Sequence, residues 1–224
     1  MRSSGAAIAL ACASFAGCIS IVDLVKECES SDPAPADPPD TSPPVVIVPD
    51  ATVDHAADVF DASPPHHAFV TSTVHPGTSL GSSPDTPCNA AAAAAGLRGR
   101  FVAWLSFTNG SAASRLEEYG PWVTTRGELV ATDKLDLTKG TIRAAIQYDE
   151  RAQPFPAGIN PDLAWTGAHA NGQTSAACAD WTAAGASVSG TVGNVHQTSV
   201  AWTEDVGDTA TCLTNLHVYC FEQP

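Results

Sequence analysis

The chain has 224 residues, 24 of them acidic and 10 Lys or Arg, which gives a formal charge of −14 at neutral pH. No basic stripe runs along it, so nucleic acid and heparin-like polyanions are set aside as partners. Seven cysteines and five tryptophans point instead to an exported, disulfide-stapled domain.

The N-terminal segment reads as an export signal. Arg2 precedes a short, Ala-rich apolar run from Gly5 to Phe15, the pattern of a signal peptide over 1–17 and too short for a membrane-spanning helix. The run ends in Phe15-Ala16-Gly17-Cys18, which resembles a bacterial lipobox. Small residues are needed there because the signal peptidase closes around the backbone beside the scissile bond. Cys18 is therefore the expected lipidated first residue of the mature chain. Cys12 leaves too short an apolar run to serve, and the competing reading is an ordinary secreted chain cleaved near Cys18. Two or more acyl chains hold a soluble domain stably at a membrane. Ile19, rather than aspartate, follows the anchor, so inner-membrane retention is not signalled. For a Gram-negative source the expected location is the outer membrane or cell surface.

Residues 18–65 form an acidic tether. Pro, Asp, Ala and Ser dominate from Glu29 onward, and 18–65 hold ten carboxylates against one lysine. Proline restricts the backbone and like charges repel, so this composition builds no core and is expected to be disordered. Val45-Val46-Ile47-Val48 is a short apolar island bracketed by prolines. At a polyproline rise of about 3.1 Å per residue, the tether lifts its cargo on the order of 100 Å from the membrane. That reach suits display beyond a glycan layer.

Residues 66–224 suit one domain with a sizeable core and a net charge of −6. The pattern predicts an α+β fold. Phe69–Val74 reads as an opening strand. Asp85-Thr86-Pro87 reads as an N-cap with an early proline, leading into a helix that stops at Gly96. Phe101–Phe107 reads as a strand with Trp104 buried, and Ser111 as the cap of a short helix reaching Glu118. Pro121-Trp122-Val123 and Glu128–Ala131 form an expected hairpin turning at Arg126-Gly127. The stretch from Gln147 to Asp162 is loop-like, and Ala164–Gly167, Ser199–Thr203 and His217–Phe221 read as short strands.

Within this domain, Ala95-Gly96-Leu97-Arg98-Gly99-Arg100-Phe101-Val102-Ala103-Trp104-Leu105-Ser106 resembles the helix-to-strand segment of the endostatin-like domain of collagens. Trp165-Thr166-Gly167, Asn171-Gly172 and Cys178 followed by Trp181 resemble that family's next block in order and spacing. Cys212 with Tyr219-Cys220-Phe221-Glu222 resembles its ending. Bacterial surface-lipoprotein domains of unknown function carry a similar set, and the endostatin fold is a relative of the C-type lectin fold. Four cysteines permit three pairings. The resemblance implies the nested one, Cys88–Cys220 and Cys178–Cys212, with Cys28 left over in the tether. A shared fold does not fix an activity.

Residues that could carry chemistry are few. Gly77-Thr78-Ser79-Leu80-Gly81 matches G-x-S-x-G but sits among prolines in a loop, whereas that chemistry needs a strand, a strained turn and a helix. Glu117-Glu118 and Asp149-Glu150 are sequence neighbours and read as solvated surface. With no H-E-x-x-H, C-x-x-C or phosphate loop, no catalytic residue is assigned and no enzyme activity is expected. His66, His67 and His75 are possible zinc ligands, as endostatin places histidines near its domain's start, but their spacing departs from that pattern. Calcium-dependent sugar binding in C-type lectins uses a Glu-Pro-Asn-type triplet and a Trp-Asn-Asp triplet. Here Asn160-Pro161-Asp162 precedes Trp165, and Ala179-Asp180-Trp181 has the wrong order. No cofactor is therefore expected. Trp165, Asp180 and Trp181 are the possible ligand-binding residues, with core packing the leading reading for the tryptophans. The sequence thus predicts a surface lipoprotein acting as a recognition or adhesion module for a glycan or protein ligand. The alternative is a structural or assembly lipoprotein of the envelope.

Overall fold

Apolar side chains along the final strand alternate between two cores, and this alternation organises the domain. The computed structural model describes residues 64–118, 120–158, 162–185, 187–207 and 209–224. The signal segment, Cys18, Cys28 and the tether to residue 63 lie outside them, as do Asn160 and Pro161. Strand β9, Asn215–Gln223, is the longest. Its Tyr219 and Phe221 enter one hydrophobic cluster, while Leu216, Val218 and Cys220 enter the other. Period-two alternation puts successive side chains on opposite faces, so a strand with apolar residues on both faces must be covered on both.

Four strands pair directly with β9. β1 (His66–Val70) and β3 (Arg100–Ala103) lie antiparallel along its second half. β2 (His75–Pro76) runs antiparallel and β6 (Leu163–Trp165) parallel along its first half. β4 (Trp122–Thr124) joins β1 in parallel and pairs antiparallel with β5 (Leu129–Ala131), the expected hairpin. β7 (Ser189–Asn194) and β8 (Thr209–Thr211) extend the sheet beyond β6, giving the order β5-β4-β1-β9-β6-β7-β8. The architecture is mixed α+β, mostly sheet with few helices.

Helix α1, Thr86–Ala95, covers the Cys220 face of the sheet through Cys88, Ala91 and Ala92. Its alanines favour helix and keep the surface low, so it packs close. Gly96 ends it at φ 75°, where glycine is least strained. Asp85 stands at the N-cap position but caps nothing. Its carboxylate instead accepts from Ala103 N and from Arg115, tying the helix start to β3. The Cys88–Cys220 bridge fastens the helix to the central strand, and Cys178–Cys212 closes the second, nested link.

The expected strand at Phe69–Val74 is found earlier in the chain, and the one at Phe101–Phe107 is shorter. β1 begins at His66 and ends at Val70, because the Thr71 hydroxyl donates to Thr73 O and Ser72 N–H donates to Glu150, bending the chain away. β3 stops at Ala103, and Trp104 continues through one bond to Tyr219 O. α2 spans only Ala112–Arg115, capped by Ser111 Oγ accepting from Ser114 N. Ser199–Thr203 is not a strand; it contains a 3-10 turn at Val200–Trp202. One exposed valine and one buried tryptophan satisfy a turn as well as a strand. All five tryptophans are fully buried.

Candidate functional site

The sequence-predicted ligand residues lie at a closed junction. Trp165 and Trp181 are fully buried and meet edge to face, with ring centroids 5.5 Å apart. Trp165 Nε1 donates to His75 O and Trp181 Nε1 to Ser106 O, both at 2.9 Å. Neither indole face is open to a ligand. Asp180 Oδ1 accepts from Thr108 N at 2.6 Å and Thr108 Oγ1 at 2.9 Å, so its carboxylate ties down the neighbouring loop. Cys178 to Trp181 form a left-handed turn, with φ of 51°, 49°, 56° and 62° and no glycine among them. Such a conformation costs roughly 1–2 kcal/mol per residue and persists only where its surroundings over-determine it.

Those surroundings explain the G-x-S-x-G match. A Cβ at Gly77 would lie 3.2 Å from Cys178 Sγ, and one at Gly81 would lie 2.7 Å from Asp180 O. Both glycines therefore exist to let the 3-10 turn at Gly77–Ser79 approach the left-handed turn. Ser79 Oγ donates to Pro76 O at 2.8 Å. Its role is to close a turn.

The three histidines occupy separate places. His67 donates its N–H to Glu222 Oε2, and its Nδ1 lies 2.9 Å from the same oxygen, beside a pocket of about 300 Å³ that also includes His66 and Arg98. His75 pairs with Leu216, six residues along β9 from Glu222 and so roughly 20 Å away at strand rise. They cannot share an ion. Among the described residues no group of three or more His, Cys, Asp or Glu side chains could hold a metal.

His75 belongs to a second cleft of about 240 Å³ between the alanine face of α1 and the 149–153 turn. Burial, reinforced by the nearby His217, pushes the His75 imidazole pKa down. Asp149 and Glu150, expected at the surface, are buried. Asp149 Oδ1 accepts from Arg151 N and Gln153 N, while Glu150 accepts from Ser72 N, Ser72 Oγ and Arg151 Nη1. The two carboxylates satisfy donors of their own turn and of the bend after β1.

A cleft of about 490 Å³ opens between α2, α3 (Lys134–Leu137) and the turn at 171–173. Helix α3 is a single turn held from both sides. Asp133 Oδ1 caps it by accepting from Asp136 N at 2.7 Å. Asp136 in turn accepts from Thr132 N, Lys139 Nζ and Arg143 Nε. The Arg143 guanidinium bond, followed by the Thr132 N–H, holds the Asp136 carboxyl well below its ordinary range. Lys134 Nζ donates to Leu116 O at 3.1 Å and lies 3.5 Å from Glu118. With the helix so fixed, Leu135 stands 74% exposed beside the cleft.

The opposite wall is placed by Gly172. At φ 75°, it lies where a Cβ would meet Ala113 Cβ at 2.7 Å and Trp104 Cη2 at 3.0 Å. This close approach sets Asn171 and Gln173 at the rim, with Ala113 N donating to Gly172 O. Asn171 Oδ1 accepts from Gln173 N, and the Gln173 side-chain amide takes no partner among the described residues. Two carboxamides, an exposed leucine and the Glu118 and Asp133 carboxylates thus converge on one opening. Sequence reading did not find this site, although Asp133-x-x-Asp136 carries the spacing of a helix start.

No protein-family model and no curated protein matches the chain.

Proposed function

We propose that this chain is a lipid-anchored, surface-displayed recognition module without catalytic activity, whose endostatin-like, C-type-lectin-like domain takes a glycan or protein ligand in the α2–α3 cleft. The observation that carries the reading is the preformed cleft itself, in which the Asn171 and Gln173 carboxamides and an exposed leucine sit on elements fixed by independent hydrogen bonds. Ligand sites are typically concave, largely pre-formed and furnished with a few placed polar groups over an apolar lining.

Three further points support it. The Cys88–Cys220 and Cys178–Cys212 bridges coincide with the nested pairing that the resemblance implies, and they suit an oxidising, extracytoplasmic compartment. Ser79 Oγ donates to Pro76 O, and Gly77 and Gly81 admit close neighbours within a 3-10 turn, an arrangement unlike the strand, strained turn and helix of a hydrolase nucleophile. The acidic spacer after Cys18 supplies the reach that display requires.

The test is an array of glycans and envelope proteins probed with the oxidised protein, with and without chelator. Binding that resists chelator and falls in Leu135→Ser is expected. Chelator-sensitive binding, or binding indifferent to Leu135, would overturn the assignment of this cleft.

A further inference from the structure

We infer that the occupant of the α2–α3 cleft is an extended, basic segment of a partner protein, carrying Lys or Arg beside an aliphatic residue. This deepens the proposed function and rests on the reading that the cleft is the recognition face.

Charge is the first argument. The cleft is flanked by Glu118, whose side chain is 87% exposed, and by Asp133. Among the residues lining it the one cation is Lys134, whose ammonium is already engaged by Leu116 O and Glu118. The domain around it carries −6. Two carboxylates line the cleft against one lysine, while Lys139 and Arg143 are bound to Asp136 behind it; with the domain's net negative charge, this favours approach of a basic ligand over an anionic one.

The rim groups supply the second. A carboxamide presents one acceptor and one N–H donor edge side by side, the complement of a peptide group. Among the described residues, nothing takes the Asn171 amide nitrogen or the Gln173 side-chain amide, and the turn at Gly172 holds the two groups two residues apart. An extended backbone exposes donors and acceptors at this kind of spacing, and its alternate side chains point apart into neighbouring contacts.

The third is the apolar surface. Leu135 stands exposed on a helix turn that Asp136 locks, with Ala113 and Thr138 also on the lining. This offers an aliphatic contact of the size of one side chain. No aromatic ring lines the opening, so the flat π face on which a sugar ring stacks is missing from the described lining. These features favour a peptide over a glycan.

The inference is tested with the full-length oxidised protein on two immobilised panels. One holds N-acetylated, C-amidated hexapeptides in basic-aliphatic, acidic-aliphatic and neutral sets; the other holds N-acetylglucosamine oligosaccharides and neutral hexose oligosaccharides. Retention on the basic-aliphatic set is expected, at least about tenfold above the acidic set, and weakening as salt rises. Leu135→Ser and Gln173→Ala are each expected to lower it about tenfold. Glu118→Lys is expected to shift preference toward the acidic set. All three positions are exposed, and unchanged near-ultraviolet circular dichroism confirms that the variants fold. Equal retention of acidic and basic sets, or retention insensitive to Leu135→Ser, overturns the inference. Oligosaccharide retention that Leu135→Ser abolishes overturns the peptide inference while leaving the cleft as the recognition face. Retention on neither panel overturns both readings.

Discussion

The Cys178–Trp181 turn and the α3 turn are both single turns, yet they are built by opposite means. The first holds four side-chain-bearing residues at positive φ, locked by the Cys178–Cys212 bridge, by two buried indoles and by glycines that let neighbours come within contact distance. The second is an ordinary right-handed turn fixed by the Asp133 cap and by the hydrogen bonds of the buried Asp136. The first spends its Trp and Asp side chains on internal closure, whereas the second turns a leucine outward. Residue types that suggest ligand binding in a sequence are here consumed by the fold, and the open surface is made from Leu, Asn, Gln and Glu.

Breaking the first region should have the largest effect. Trp181→Ala removes a buried ring that packs on Trp165 and bonds Ser106 O, and is expected to cost about 3–5 kcal/mol, read by urea unfolding. Replacing Cys178 and Cys212 together by alanine frees a loop of sequence separation 34 and is expected to cost about 3–4 kcal/mol. A loss under about 1 kcal/mol in both would mean that the left-handed turn is not what holds this end together.

In the second region, Asp136→Ala is expected to cost about 1–2 kcal/mol. The figure is kept small because Arg143 and Lys139 are half exposed and their pairing is screened. The pH dependence has a definite sign. The Asp136 carboxyl has a folded pKa below its ordinary 3.8, so its contribution is fully present above that value and is lost as pH falls through the folded pKa. The stability gap between wild type and Asp136→Ala should therefore be constant from neutral pH to about 5 and shrink on further acidification. A gap that widens in acid would contradict the assignment. The smallest stability effect is expected at Leu135→Ser, within about 0.5 kcal/mol because the side chain is already in water, while binding falls.

How much of this was legible in the sequence depends on whether a pattern carries the geometry. Thr86-Pro87 and Gly96 marked α1 to within a residue, because the proline and the left-handed glycine are themselves the boundary devices. The Arg126-Gly127 hairpin was legible for the same reason. The left-handed turn was not: its residues are Cys, Ala, Asp and Trp, and only tertiary packing selects positive φ there. β7 and β8 were missed because Ser, Gly and Thr show little apolar alternation. Gly190 is instead required by the approach of Cys178 Sγ at 3.0 Å and Gly193 by the backbone of Trp202. The candidate cleft joins α2, α3 and the 171–173 turn, which lie tens of residues apart, so no local pattern could assemble it.

The most direct test is to map backbone amide shifts of the full-length oxidised protein during titration with a basic-aliphatic hexapeptide. The account predicts saturable changes at Ala113 and Glu118, at Asp133 to Thr138 and at Asn171 to Gln173, with Thr108 and Asp180 to Thr182 unmoved. Changes centred on Thr108 and the Cys178–Trp181 turn, with the cleft silent, would contradict it.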